Sequence, residues 1–302
     1  MYKSSRRGKL VLAALLFAAG AAVCAPQAGQ PGGPPAQPLP GPPPALVKAR
    51  DDIYILQNQA NNGVEIGFYG GNATILLTND GVVLIDSKSD REHEDLIAKV
   101  KTLTDKPIKY VILTHNHGDH TGGAAKLKAL GATLVISSAD RDNLARGNAT
   151  PIVDLAFAGE AQLTVGGKRA ELYQFRGHTR GDTVVYFPSH KVIVLGDLFT
   201  TAETIPMIVN YPDGGSWSEW TLTMNQIARM DFDTVIPGHG PQVTKAQFLE
   251  MRNKMLATMD RVRALVREKK TQEEIQRTLI QEFNWGMGGS AGNIAGMMVE
   301  LR

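Results

Sequence analysis

The sequence predicts an α/β (α+β) fold in which two mixed sheets pack face to face and helices cover their outer faces. Two observations predict it. The β-rich apolar runs fall into two clusters, residues 52–137 and 161–237, and helical patterns follow the strands in each. Runs such as IKYVILT (Ile108–Thr114) read as buried strands, which need cover on both sides.

From the N-terminus, a basic stretch, the apolar run LVLAALLFAAGAAV and the small-residue end VCA at Ala25 match a cleavable export signal over residues 1–25. That implies a periplasmic or secreted protein. SRRGKL partly matches a twin-arginine signal. Lipid anchoring at Cys24 is disfavoured by the bulky Val23 before it. The apolar run is short for a membrane span, and nothing later approaches one, so no stable membrane insertion is expected after signal removal. Residues 26–45 are a Pro/Gly-rich linker that cannot bury a core. One folded domain follows over residues 46–302.

Within that domain DIYILQ, VEIGFY, ATILLT and GVVLID read as strands, with Asn79-Asp80-Gly81 as a hairpin turn. DREHEDLIAKVKTL has helical spacing, IKYVILT is a strand, GGAAKLKAL a helix, TLVIS a strand and SADRDNLARG a helix. AQLTV, AELYQF, DTVVYF and KVIVL are strands. Ser216 and Glu219 predict a capping box before WTLTMNQIARM. FDTVIP is a strand and residues 245–270 a long amphipathic helix. Thr271 and Glu274 cap a shorter helix, and GMGG breaks the chain before a last helix from Ser290.

Charge narrows the function. The formal net charge is +2, but residues 1–25 hold Lys3, Arg6, Arg7 and Lys9 and no acid, so the remainder carries −2. No nucleic-acid footprint is present. Cys24 is the only cysteine, so the exported chain has neither a disulfide nor a thiol nucleophile.

The informative stretch is THNHGDHTGG (Thr114–Gly123), just beyond a buried strand. In extended backbone His115 and His117 point to one side, while Asp119 and His120 follow where the chain turns into a helix. One loop can therefore feed two adjacent metal positions with imidazole and carboxylate, a set that suits zinc. His178 in RGHT, Asp197 in LGDLF and His239 in PGHG also stand where apolar strands end, each beside a glycine that permits a sharp turn. His93 and His190 read as solvent-exposed bystanders.

The set HNHGDH, GHT, LGD and PGHG resembles the metallo-β-lactamase superfamily. The resemblance spans the domain from about residue 46 and implies an αββα sandwich with a metal pair at one sheet edge. It implies that His115, His117 and His178 hold one zinc, that Asp119, His120 and His239 hold a second, and that Asp197 bridges them. Iron or manganese could replace zinc. Asp86 matches a supporting aspartate beneath the metal loop. The implied activity is hydrolysis of a small-molecule amide, ester, lactone or thioester by a metal-bridging hydroxide, with Asp119 orienting the nucleophile. Authentic β-lactamases of the family usually carry Cys or Ser at the position of Asp197. Asp there is more like glyoxalase II and the lactonases. β-Lactam hydrolysis is the alternative, and a non-catalytic metal-binding protein of the same fold is the second. Phe68, Tyr69, Met207, Tyr211, Trp217 and Trp220 are the aromatic and apolar residues available to wall a substrate pocket, the two tryptophans reading slightly better as core. Oligomeric state is not legible in the sequence.

Export gives a direct test. Mass spectrometry of protein recovered outside the cytoplasm should find Pro26, or a trimmed linker, at the N-terminus. An intact Met1 in the cytoplasm would refute export, and a lipid on Cys24 would refute simple cleavage.

Overall fold

Val82 and Leu84 point one way and Val83 and Ile85 the other, and all four are buried. The computed structural model shows why. It describes residues 41–60, 62–146, 153–201, 209–285 and 290–302, so the export segment, most of the linker and GMGG lie outside the described residues. Residues 39–302 form one unit by their contacts.

Its first sheet runs in sequence order: β1 (Ala45–Arg50), β2 (Ile53–Gln57), β3 (Ala73–Leu77), β4 (Val82–Ile85), β5 (Ile108–Ile112), β6 (Thr133–Ser137) and β7 (Leu155–Phe157). Pairings from β1 to β4 are antiparallel and those from β4 to β7 parallel. The helices α1 (Gly63–Tyr69), α2 (His93–Leu103), α3 (Gly118–Thr121), α4 (Ala124–Ala129) and α5 (Ser138–Arg146) are interleaved with these strands. The second sheet comprises β8 (Glu160–Val165), β9 (Lys168–Phe175), β10 (Asp182–Phe187), β11 (Val192–Gly196), β12 (Thr234–Pro237) and β13 (Val243–Thr244), ordered β13-β12-β11-β10-β9-β8. Only β11 and β12 are parallel there; α6 (Trp217–Ile227) lies in their connection, and α7 (Lys245–Arg267), α8 (Gln272–Phe283) and α9 (Ser290–Glu300) close the chain.

Three apolar layers result. Ile55, Val83, Ile85 and Ile112 meet Val185, Phe187, Val194 and Ile236 between the sheets. Val82, Leu84, Val111 and Leu134 pack outward on Leu96, Val100 and Leu127. Val184, Ile193 and Val235 pack outward on Trp217, Trp220, Met224, Phe248 and Val262. This is a sandwich of two mixed sheets between helical layers, as the sequence predicts.

Several local readings need correction. VEIGFY is helix α1, not a strand. Its apparent alternation is misleading because burial is inverted: Val64 is 70% exposed, while Glu65 is fully buried. The Glu65 carboxylate accepts the backbone N–H groups of Gln59 and Ala60, and the Asn62 side chain caps the helix on Glu65 N–H. The sequence reading also passes over β1, β7 and β13, which are short or poorly patterned. Ser216 accepts the Glu219 N–H at 3.2 Å, but its own N–H donates to Gly177 O, so the capping box there is half made. The box at Thr271 and Glu274 is complete. Among the described residues no helix is long and apolar enough to cross a membrane.

Phe187 is fully buried between the sheets. Phe187→Ala should lower unfolding free energy by about 3–5 kcal/mol through lost burial and a cavity. Urea unfolding followed by tryptophan fluorescence would measure it, and a change below about 1 kcal/mol would contradict this packing.

Candidate metal centre

Each predicted ligand lies on a segment that follows a strand. His115 and His117 lie in the segment between β5 and α3, and Asp119 and His120 lie in α3 itself. His178 occupies the β9–β10 turn, Asp197 follows β11 and His239 follows β12. The fold brings all seven together as two groups. His115, His117, His178 and Asp197 form one; Asp119, His120 and His239 form the other, each with its ligand-type atoms within 4.8 Å of one another.

In the first group His117 Nδ1 lies 3.1 Å from His115 Nε2 and 3.0 Å from His178 Nε2. In the second, His120 Nε2 and His239 Nε2 are 3.2 Å apart, and Asp119 Oδ2 is 3.5 Å and 3.2 Å from them. Asp197 faces both. Its Oδ1 is 3.3 Å from His120 Nε2 and from His239 Nε2, while its Oδ2 is 4.0 Å from His115 Nε2 and 3.8 Å from His178 Nε2. Asp197 Oδ1 is buried and in hydrogen-bond geometry with no donor. A buried anionic oxygen with lone pairs uncommitted, ringed by imidazole nitrogens, is a donor set suited to a divalent cation.

The charges agree. Burial opposes ionisation of Asp197, but His239 and His120 hold its carboxyl well below the usual carboxylate range. Burial likewise opposes ionisation of Asp119, yet His120 and His239 bring it to about 2. Burial pushes the His115 imidazole well down, towards the neutral, metal-binding form.

Supporting groups orient the rings. Asp86 adopts φ 66° as β4 ends, which turns its carboxylate beneath the loop. It accepts Thr114 N–H at 2.7 Å and Thr114 Oγ1–H at 2.8 Å, and takes His120 Nδ1–H at 2.8 Å. With its hydroxyl proton committed to Asp86, Thr114 Oγ1 accepts from His115 Nδ1 at 3.0 Å. Both rings thus present Nε2 to the centre. Gly71 and Gly238 permit close approach: a Cβ would lie 2.2 Å from His120 Cε1 or 2.0 Å from Asp197 Oδ1. Asn72 ties the first sheet to the His239 loop through Pro237 O and Gly240 O.

Sequence reasoning missed Asp213 and Asn210. His117 Nε2 lies 3.0 Å from Asp213 Oδ2 and 2.7 Å from Asn210 Nδ2, so this loop fixes the ring that sits most open to solvent. No periodicity or ligand spacing marks NYPDGG, so nothing in the sequence links it to His117.

Other readings change. His93 is buried, not exposed, and lies 2.6 Å from Asp90 O, although it belongs to neither metal group. His190 is half-buried. Tyr69 is buried at the end of α1 with its hydroxyl on Gly41 O, and Phe68 is covered by Arg91 at 5.2 Å. Trp217 and Trp220 are core, and Tyr211 donates to Glu300. Met207 lies outside the described residues.

The Asp86 geometry makes a selective prediction. Asp86→Ala should weaken divalent-metal affinity by roughly 10–100-fold at the group containing His120. Zinc titration with a competing chelator would read it. Unchanged affinity would show that His120 needs no orienting acceptor.

The metallo-beta-lactamase superfamily profile matches residues 66–239. A type 2 metallo-beta-lactamase of Bacillus sp. (strain 170) is 31% identical over 187 residues, 58% of this chain and 71% of that protein. One from Elizabethkingia meningoseptica is 28% identical over 205 residues, 64% and 78% of the two chains. Among solved structures, a metallo-beta-lactamase from Pontibacter korlensis superposes with a TM-score of 0.62 at 24% identity, over 70% of this chain and 99% of that one. That likeness concerns the fold alone. The profile match covers more than half of the sequence and includes all seven grouped residues: the chain belongs to the metallo-beta-lactamase superfamily.

Proposed function

We propose that this protein is an exported hydrolase holding two divalent ions, zinc in the first instance, that cleaves an amide, ester, lactone or thioester of a small molecule. The observation that carries the reading is the position of Asp197, with Oδ1 towards His120 and His239 and Oδ2 towards His115 and His178. A carboxylate so shared suits two cations better than one. His115, His117 and His178 would hold the first, Asp119, His120 and His239 the second. When bound, such ions supply Lewis acidity towards a carbonyl and water acidified to a pKa of about 7.

The chain's own residues supply direction. Asp119 stays ionised at neutral pH and is partly open, with its side chain 29% exposed. It can accept a hydrogen bond from an attacking water and carry away its proton. Asp86, Thr114 and Asp213 keep the imidazoles aimed, so little reorganisation is needed during reaction. The centre offers no thiol, since Cys24 is the only cysteine.

β-Lactam hydrolysis is the second reading. Relatives named as type 2 metallo-beta-lactamases at 31% and 28% identity favour it. Asp197, where dedicated β-lactamases of the family usually carry Cys or Ser, favours the broader hydrolase. Seven retained ligand-type residues speak against a role without catalysis, because clustered buried polar groups are costly unless used.

Asp197→Asn keeps the size and removes the charge between the two groups. Elemental analysis should fall from two metals per chain towards one. Turnover of the best ester, lactone or thioester should drop roughly a hundredfold or more. Asp197→Cys should raise β-lactam turnover relative to ester turnover. Unchanged occupancy and rate in Asp197→Asn would sink the bridging role. Efficient nitrocefin hydrolysis by the unaltered protein, with no ester, lactone or thioester activity, would promote the second reading.

A further inference from the structure

Outside the metal centre, three arginines converge on one hollow. Arg146 ends α5, and Arg176 and Arg180 flank His178 in the β9–β10 turn. With Gln174, Pro212 and Gly214 they line a cavity of about 480 Å³ that no carboxylate lines. Like charges gathered this closely repel, and the usual remedy is a set of acidic neighbours. Here that remedy is only partial: Asp140 lies near enough to Arg180 to act on it electrostatically, but among the described residues none of the three arginines forms an ion pair. The two nearby carboxylates, Asp213 on its loop and Asp140 in α5, are already engaged. Asp213 faces His117 and Asn116, and Asp140 faces Asn143 and Thr179.

The arginines' own bonds leave most donors unused. Arg176 Nε donates to Gly214 O at 2.7 Å, and one Arg146 Nη2–H goes to Asn143 Oδ1. The Arg180 guanidinium has no hydrogen-bond partner among the described residues; its stem lies along Gly214. A guanidinium carries five N–H donors in a planar fork that matches a carboxylate or phosphate. A second hollow of about 550 Å³ shares Gln174, Arg176 and Arg180 with the first. Its wall includes Phe175 and Leu222, the latter 55% exposed. Glu160 and Glu219 also line this second hollow, so an anionic group is confined to the arginine end.

We propose that Arg146, Arg176 and Arg180 form a binding site for a small organic anion, with its carboxylate or phosphate in the arginine cavity and an apolar body along Phe175 and Leu222. The cavity wall at Pro212 and Gly214 brackets Asp213, so the bound anion lies one loop away from the His117 ring without touching the metal groups.

Isothermal titration of the zinc-loaded full chain with phenyl phosphate, phenylacetate and benzyl alcohol tests this. Saturable binding of at least one anion is expected, with none for the neutral alcohol, and affinity should fall as salt is raised. Arg180→Gln should weaken it roughly tenfold, and the triple substitution R146Q/R176Q/R180Q should abolish it, with zinc content unchanged. Preference for phenyl phosphate or for phenylacetate assigns the anionic group. Binding that survives both variants would place the anion at the metals and overturn the site. So would the absence of saturable binding by either anion. If the triple variant fails to fold, Arg180→Gln alone decides.

Discussion

Cover on both faces of both sheets is the constraint from which the rest follows. The core positions of strands β4, β5, β10 and β11 cannot take a charged side chain without burying it in one of three apolar layers. Polar chemistry is pushed to where strands stop. β5, β9, β11 and β12 stop at a common edge, so the side chains that follow them converge there although they lie up to 124 positions apart in sequence, from His115 to His239. The sandwich is therefore the reason that scattered histidines become a centre.

Convergence creates an electrostatic problem that the local groups only partly solve. Asp86, Asp119 and Asp197 all lie within 3.5 Å of a nitrogen of the fully buried His120. Burial opposes a charged ring there, but Asp119, Asp197 and Asp86 outweigh it and raise its pKa well above the usual value. Burial opposes charge on His239 as well, but Asp197 and Asp119 raise its pKa, and even two imidazolium rings fall short of three carboxylates. The excess negative charge, with Asp197 Oδ1 lacking a donor, is what makes this a place for cations rather than another buried hydrogen-bond network.

The parts legible in the sequence are those governed by this constraint. Val82 to Ile85, buried on both faces, leaves a continuous apolar run, and a histidine directly beyond such a run stands out. Asp86 ends the run GVVLID, but its supporting role was legible only through the family resemblance. What was hidden depends on tertiary partners. Helix α1 reads as a strand because Glu65 is buried by the loop amides it accepts, which hydropathy cannot register. Asn210 and Asp213 lie 93 and 96 positions from His117, in a loop with no pattern of its own. His93 sits on what looks like a polar helix face, yet Gly123 lets the chain close over it; a Cβ at Gly123 would come within 2.8 Å of the His93 Cβ.

The polar groups beneath the centre show how the protein limits further charge. On one side Lys88, fully buried with φ 60°, donates to Asn58 Oδ1 and Gly71 O and so steadies the glycine that packs on His120. Burial lowers its pKa to about 7, so much of its charge is given up. On the other side, next to His178, Thr179 Oγ1 lies 2.8 Å from Asp140 Oδ2 and 2.7 Å from Asp182 Oδ1. A hydroxyl has one proton, so it can donate to only one of the two. The other carboxyl must carry a proton and donate back. Burial raises Asp140 to about 7, and burial together with Asp140 raises Asp182 well above its ordinary range, which agrees with a shared proton. The supports on both flanks are thus held by partly neutralised groups. Asp119 and Asp197 remain the carboxylates kept ionised and turned inward, and the negative charge is concentrated between the two sets of imidazoles.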